Sequence, residues 1–247
     1  MKPKLEAILF DMGGTLIEFE NLSWDVLNQR CAREGYGYLK SQNLIGIGYQ
    51  DFVDSLAQEF EKRWAASEKT LQEIAFESVA FSVLKKLNLN VTDGNKKEFM
   101  SRYYQPVTDQ ITLIHGAVDT LKFFKGRNIK VGLLSNTIFP KRFHLQELNR
   151  LGLTKYIDAA IFSSEVGFRK PHPMIFQTAL EILSTDPEFA SFVGDRMEED
   201  IGGARQVGMK TVLIIDEKKE SSGKIVPDAE INNLTELPAA VVKLFDM

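Results

Sequence analysis

Cysteine is almost absent: Cys31 is the single one in 247 residues. This excludes an intrachain disulfide and any cysteine-rich zinc site, and it fits a reducing compartment, so a cytoplasmic protein is expected. Long apolar runs are missing too. None approaches the roughly 18 residues of a membrane span, and the opening Met-Lys-Pro-Lys-Leu-Glu holds too short an apolar run for a signal peptide. Lysine and arginine never run longer than two and the net charge is −4, which argues against nucleic-acid or membrane partners. His115, His144 and His172 are scattered, without metal-ligand spacing, and read as loop or surface residues. What is present is ordinary: 44% hydrophobic and 26% charged residues, enough to bury a core without staples. Small molecules remain as the partner class, bound by a monomer or homodimer.

Short apolar runs with the composition of buried strands occur at Leu5 to Phe10, Ile129 to Leu134 and Thr211 to Ile215, with weaker ones at Ala159 to Phe162 and Phe189 to Val193. Helical patterns separate them. Pro140 opens one that carries Phe143, Leu148 and Leu151 and stops at Gly152; Pro173 opens another with Ile175, Phe176, Leu180 and Leu183; a third follows Asp200 and stops at Gly208. Repeated strand and helix imply an α/β fold, a three-layer Rossmann-like parallel sheet covered on both faces.

Residues 18–111 break this alternation. Phe52, Leu56, Phe60 and Trp64 recur at four-residue spacing, Leu71, Ile74, Leu84 and Leu87 continue the helical pattern, and a turn and cap at Val91 to Asn95 precede Phe99, Met100 and Tyr103, with Pro106 as the stop. The expectation is an inserted all-helical cap domain at 18–111 and a catalytic core formed by residues 1–17 and 112–247. Trp24, Trp64 and the insert's phenylalanines are expected mainly in its core. The polar stretch from Asp216 to Gly223 reads as a solvated loop.

Ligands of an open parallel sheet bind beyond the carboxyl ends of its strands. Those positions carry Asp11-Met-Gly-Gly-Thr15, Ser135-Asn136, Arg169-Lys170-Pro171, and Gly194-Asp195 followed by Glu198, Glu199 and Asp200. A leading carboxylate, a hydroxyl, an ammonium and an acidic cluster around one crevice suit phosphoryl chemistry with a hard divalent cation. Taken singly, an aspartate after a strand is more often a turn residue or cap, and Glu198 and Glu199 suit the first turn of a helix. Together, the four stretches reverse those odds.

With Ile8-Leu-Phe-Asp-Met-Gly-Gly-Thr-Leu16, Val131-Gly-Leu-Leu-Ser-Asn136, Val166-Gly-Phe-Arg-Lys-Pro-His-Pro173 and Val193-Gly-Asp-Arg-Met-Glu-Glu-Asp-Ile201 in this order, the chain resembles the haloacid dehalogenase-like hydrolase superfamily, in the branch with a helical cap after the first strand. The resemblance implies a Mg2+-dependent phosphatase of a small phosphorylated metabolite. It implies Asp11 as the nucleophile that becomes an aspartyl-phosphate, with Lys170 neutralising the phosphate and restraining Asp11. It further implies Ser135, Asn136, Gly14 and Thr15 at the phosphate pocket, and Asp11, the Gly13 carbonyl, Asp195 and Asp200 around the metal. One position departs. Where the family's phosphatases carry the aspartate that protonates the leaving group, this chain has Gly13. Loss of such help typically costs about 10²–10⁴ in rate. Three outcomes compete: leaving groups that need no proton, a substitute such as Glu18 or Glu20, or a phosphometabolite-binding protein without turnover. Dehalogenase- or phosphonatase-type chemistry fits less well, because Gly194-Asp195 is retained and no cap lysine stands out beyond Lys62 and Lys69. The string Asp-x-Gly-Gly-Thr also occurs in actin-like sugar kinases, but a second Gly-rich nucleotide loop is lacking.

Overall fold

A computed structural model of the chain describes residues 2–19, 23–215 and 225–246. Its centre is a six-stranded parallel sheet. In spatial order the strands are β5 (Ala159–Phe162), β4 (Lys130–Ser135), β1 (Ala7–Phe10), β6 (Ala190–Gly194), β7 (Lys210–Ile214) and β8 (Ala229–Ile231). β1 lies in the middle and is buried on both faces, which is why it reads as an unbroken apolar run.

Strand alternation divides the core in two. Ile8 and Phe10 pack with Leu121 and Phe124 of α5 (Ala117–Lys125), Phe143 and Leu148 of α6 (Lys141–Arg150) and Val241 of α10 (Leu237–Leu244). Ala7 and Leu9 point the other way, onto Ile175, Phe176 and Ala179 of α8 (Pro173–Leu183) and Ala204 of α9 (Gly203–Gln206). The short helix α7 (Ser163–Val166) follows β5 directly. These layers bear out the expected parallel α/β sandwich.

Between β2 (Ile17–Phe19) and β3 (Ile111–Leu113), an antiparallel two-stranded ribbon, come α1 (Trp24–Ser41), α2 (Tyr49–Ser67), α3 (Phe76–Lys86) and α4 (Asp93–Thr108). Thr92 caps α4 with a reciprocal capping box through Asn95. α1 and α4 pack together where Gly35 lets the Phe99 and Tyr103 rings approach.

Several local expectations are corrected. Leu71 and Ile74 lie in the α2–α3 connection, with Leu71 at φ 55°, because that stretch pairs with the core instead of continuing a helix. Pro106 stands inside α4, in its last turn, where one lost backbone hydrogen bond is tolerated. Trp24 and Trp64 are 57% and 38% exposed. His144 is buried instead, its ring stacked on Phe162, and burial pushes its pKa down to about 4. Asp216 to Gly223 lies outside the described residues, as does Glu20. Among the described residues no helix is long and apolar enough to cross a membrane.

Candidate active site

The carboxyl ends of β1, β4 and β6 converge. Asp11 follows β1 and is held against β6 by its N–H, which donates to the Val193 carbonyl at 2.9 Å. Asp195 follows β6, and Asp200 sits in a π-helical turn, Met197–Gly202, directly after it. That turn swings Asp200 back beneath the sheet end, where its Oδ2 accepts from the Arg196 N–H at 3.0 Å. Gly194 is required there, since a Cβ would collide with the Asp200 carboxylate. Gly14, at φ 86°, approaches Asp195 so closely that a Cβ would lie 2.5 Å from its Oδ2.

Lys170 binds this group together. Its buried Nζ donates to Asp11 Oδ1 at 2.6 Å, Asp200 Oδ1 at 2.6 Å and the Leu134 carbonyl at 3.1 Å, which uses all three ammonium protons. The Lys170 backbone is clamped as well: the Asn136 side chain accepts from its N–H at 2.7 Å and donates to its carbonyl at 3.1 Å. Asn136 therefore supports the lysine loop directly. Ser135 is buried at the end of β4. The Gly14 N–H donates to Ile17 O at 2.7 Å, and Thr15 is fully buried with no hydrogen-bond partner for its hydroxyl among the described residues. Gly13 lies in the same tight loop, in a bridge with Ile17.

The electrostatics follow from the count. Burial raises the Asp11 carboxyl to about 7 against the opposing pull of Lys170, and the neighbouring Asp200 adds to the rise. Burial alone would lower Lys170, but Asp11 and Asp200 more than offset it and hold its pKa above the ordinary value. The ammonium thus holds two carboxylates, Asp11 and Asp200, of a buried group of three. Oxygens from Asp11, Asp195 and Asp200 lie within 4.8 Å of one another. Such an oxygen-only, anionic donor set suits a hard divalent cation.

Sequence reasoning missed the connection to the helical insert. The Arg169 backbone N–H donates to Leu71 O at 2.9 Å and the Glu73 N–H to Gly167 O at 2.9 Å. The Arg169 guanidinium donates to Ser67 Oγ at 3.0 Å and Gln72 O at 3.2 Å and lies over the Trp64 ring at 4.3 Å. Ser163 Oγ donates to Glu73 Oε2 at 2.6 Å and accepts from the Thr137 N–H at 2.7 Å. Arg169 adjoins Lys170 in the Val166 to Pro173 stretch, a signal that could have found it. Glu73 carried no local signal, since its partner lies 90 residues away.

The model of the haloacid dehalogenase-like hydrolases matches residues 8–214. The chain belongs to that family. Among curated relatives, it is 37% identical over 102 residues to a glyceraldehyde 3-phosphate phosphatase of Methanothermobacter thermautotrophicus, covering 41% of this chain and 44% of the other. It is 34% identical over 119 residues to a ribulose-1,5-bisphosphate 5-phosphatase of Halopiger xanaduensis, covering 48% of each. The chain thus spans about half the length of these curated relatives. Among solved structures, a 2-haloacid dehalogenase from Pseudomonas syringae pv. Tomato superposes with a TM-score of 0.72 at 22% identity, covering 97% of this chain and 99% of that one. A haloacid dehalogenase-like phosphatase from Thermococcus onnurineus gives 0.64 at 24% identity, covering 96% and 98%. At such identities these two neighbours speak for the fold.

Proposed function

We propose that the chain is a cytoplasmic Mg2+-dependent phosphatase of a small phosphorylated metabolite, with Asp11 as nucleophile. The observation that carries this reading is the Lys170 ammonium bridging Asp11 and Asp200 at 2.6 Å each, inside a cluster of three buried carboxylates. The phosphatase names of its relatives support it.

Asp11, Asp195, Asp200 and the Gly13 carbonyl would hold the Mg2+, which when bound adds positive charge against the phosphoryl oxygens. Lys170 holds Asp11 Oδ1, fixing the carboxylate's orientation. The other Asp11 oxygen attacks phosphorus as the bond to the leaving oxygen breaks, and water then cleaves the aspartyl-phosphate. Ser135 supplies a hydroxyl for a phosphate oxygen, while Asn136 keeps the Lys170 loop in place. Burial of Asp11, Lys170, Asp195 and Asp200 keeps bulk water from the reacting groups.

The test is Mg2+-dependent phosphate release from acetyl phosphate, hexose 1-phosphates, hexose 6-phosphates and nucleotides, with Asp11→Asn as the blank. Release from at least one class that the blank abolishes is expected. Equal release from the blank throughout would overturn the reading. Gly13 favours one second reading, a phosphometabolite-binding protein without turnover, for which binding without release would be the mark.

A further inference from the structure

Two aromatic rings stand beside the nucleophile loop. The loop after Asp11 folds back on itself: the Leu16 and Ile17 N–H groups both donate to the Met12 carbonyl, at 2.9 and 3.0 Å. This lays β2 against the loop. Within β2, Ile17 is buried, Glu18 exposed and Phe19 half-buried, so Phe19 shares its side of the strand with Ile17, while Glu18 faces the opposite way. Phe19 turns its ring to Gly13. A Cβ on Gly13 would lie 3.3 Å from Phe19 Cε2, so the ring stands where a residue-13 side chain would grow. On its far side Phe19 meets Trp24, with ring centroids 5.2 Å apart at 57°. Trp24 itself is placed by the Ser23 cap of α1 and is more than half exposed.

Two residues from Asp11, then, stands a glycine with two rings beside it. Among the described residues, neither Gly13 nor Glu18 can deliver a proton there. A leaving oxygen on that side departs as an anion, which is cheap only for a weak base, and the group behind it meets apolar, flat surface.

On the phosphatase reading above, we infer that this site takes aryl phosphates, esters whose leaving group is a ring-stabilised phenolate that packs on Phe19 and Trp24. The Asp11–phosphorus bond forms while the phosphorus–aryl-oxygen bond breaks, and the electron pair leaves with the phenolate. Water then cleaves the aspartyl-phosphate, restoring Asp11 and yielding inorganic phosphate. The proton that water releases balances the one the phenolate gains from solvent.

Two measurements test this. Binding of phenylphosphonate and methylphosphonate, which are not esters, is followed by tryptophan fluorescence in a Trp64→Phe chain, where Trp24 is the sole indole. Phenylphosphonate is expected to bind about three- to tenfold more tightly and to quench Trp24. Trp24→Leu, which keeps apolar bulk, and Phe19→Leu, followed by calorimetry, are each expected to shrink that preference to about twofold or less. Equal binding of the two phosphonates overturns the inference. In the second measurement, Asp11-dependent phosphate release is compared for 4-nitrophenyl, phenyl and ethyl phosphate, and kcat/KM is expected to fall in that order. Asp11-dependent release from ethyl phosphate as fast as from the aryl esters overturns the inference and leaves the phosphatase reading standing. Absence of Asp11-dependent release from these three and from the whole metabolite panel overturns both.

Discussion

At the scale of single residues, Lys170 carries a heavy electrostatic burden, since its ammonium donates to two buried carboxylates with a third close by. Removing a partner from a buried ion pair leaves uncompensated charge and typically costs about 3–5 kcal/mol. Lys170→Met is therefore expected to lower metal-free stability by about 3 kcal/mol in urea unfolding, and to abolish phosphate release. His144 offers a second prediction. Burial moves its pKa from 6.5 to about 4, so between those values the unfolded chain takes up a proton that the folded chain refuses. Its contribution is intact above pH 6.5 and is lost as pH falls from 6.5 to about 4, by about 3 kcal/mol in all. His144→Leu should flatten that part of the urea-midpoint profile. Neither the burial of His144 nor its contact with Thr137, at 2.7 Å, was legible in the sequence, because both depend on where α6 docks.

At the scale of elements, α1 and α4 meet through a glycine whose missing side chain is the contact surface. A Cβ on Gly35 would lie 2.7 Å from Phe99 Cε2 and 3.1 Å from Tyr103 Cδ2. Helix propensity favours alanine over glycine by about 1 kcal/mol, but overpacking a filled interface costs about 1–3 kcal/mol. Gly35→Ala is thus expected to be neutral to destabilising in urea unfolding, against its propensity. A clear gain in stability would show that the two helices can move apart. Legibility at this scale tracked length. The five longer strands of the sheet were visible as apolar runs, β5 with its ends in place and the other four with ends shifted by a residue or two. β2, β3 and β8 are three residues each, too short to show a period, and were missed. The stretch around Leu71 and Ile74 read as helix because its apolar spacing was right. Tertiary pairing with the Gly167 to Arg169 loop overrode it.

At the scale of the molecule, the helical insert and the sheet are tied where the α2–α3 connection meets the loop that carries Lys170. Arg169→Ala removes two side-chain hydrogen bonds and a cation–π contact, together worth about 1–2 kcal/mol of local stability. Amide exchange at Glu73 is expected to quicken about tenfold, while protection in β1 and β6 stays as it was. Unchanged exchange at Glu73 would mean that the Arg169 side chain adds nothing to this connection. The large-scale organisation was the most legible feature, since a break from strand–helix alternation to pure helical periodicity survives local errors. That Asp11, Lys170, Asp195 and Asp200 come together was legible because a parallel sheet gathers its strand ends. The rings beside Gly13 were not, since Phe19 reaches it only through the fold of the intervening loop.

The buried position of Cys31 in α1 has a practical consequence. Burial pushes its thiol up to about 12, so at neutral pH it is both shielded and protonated. Maleimide dyes and nitroxide spin labels will pass it by. Paired surface cysteines, one on the helical insert and one on the sheet domain, can then be labelled in an otherwise native chain, and the distance between the two parts followed by energy transfer or pulsed electron resonance as phosphoanalogues are added.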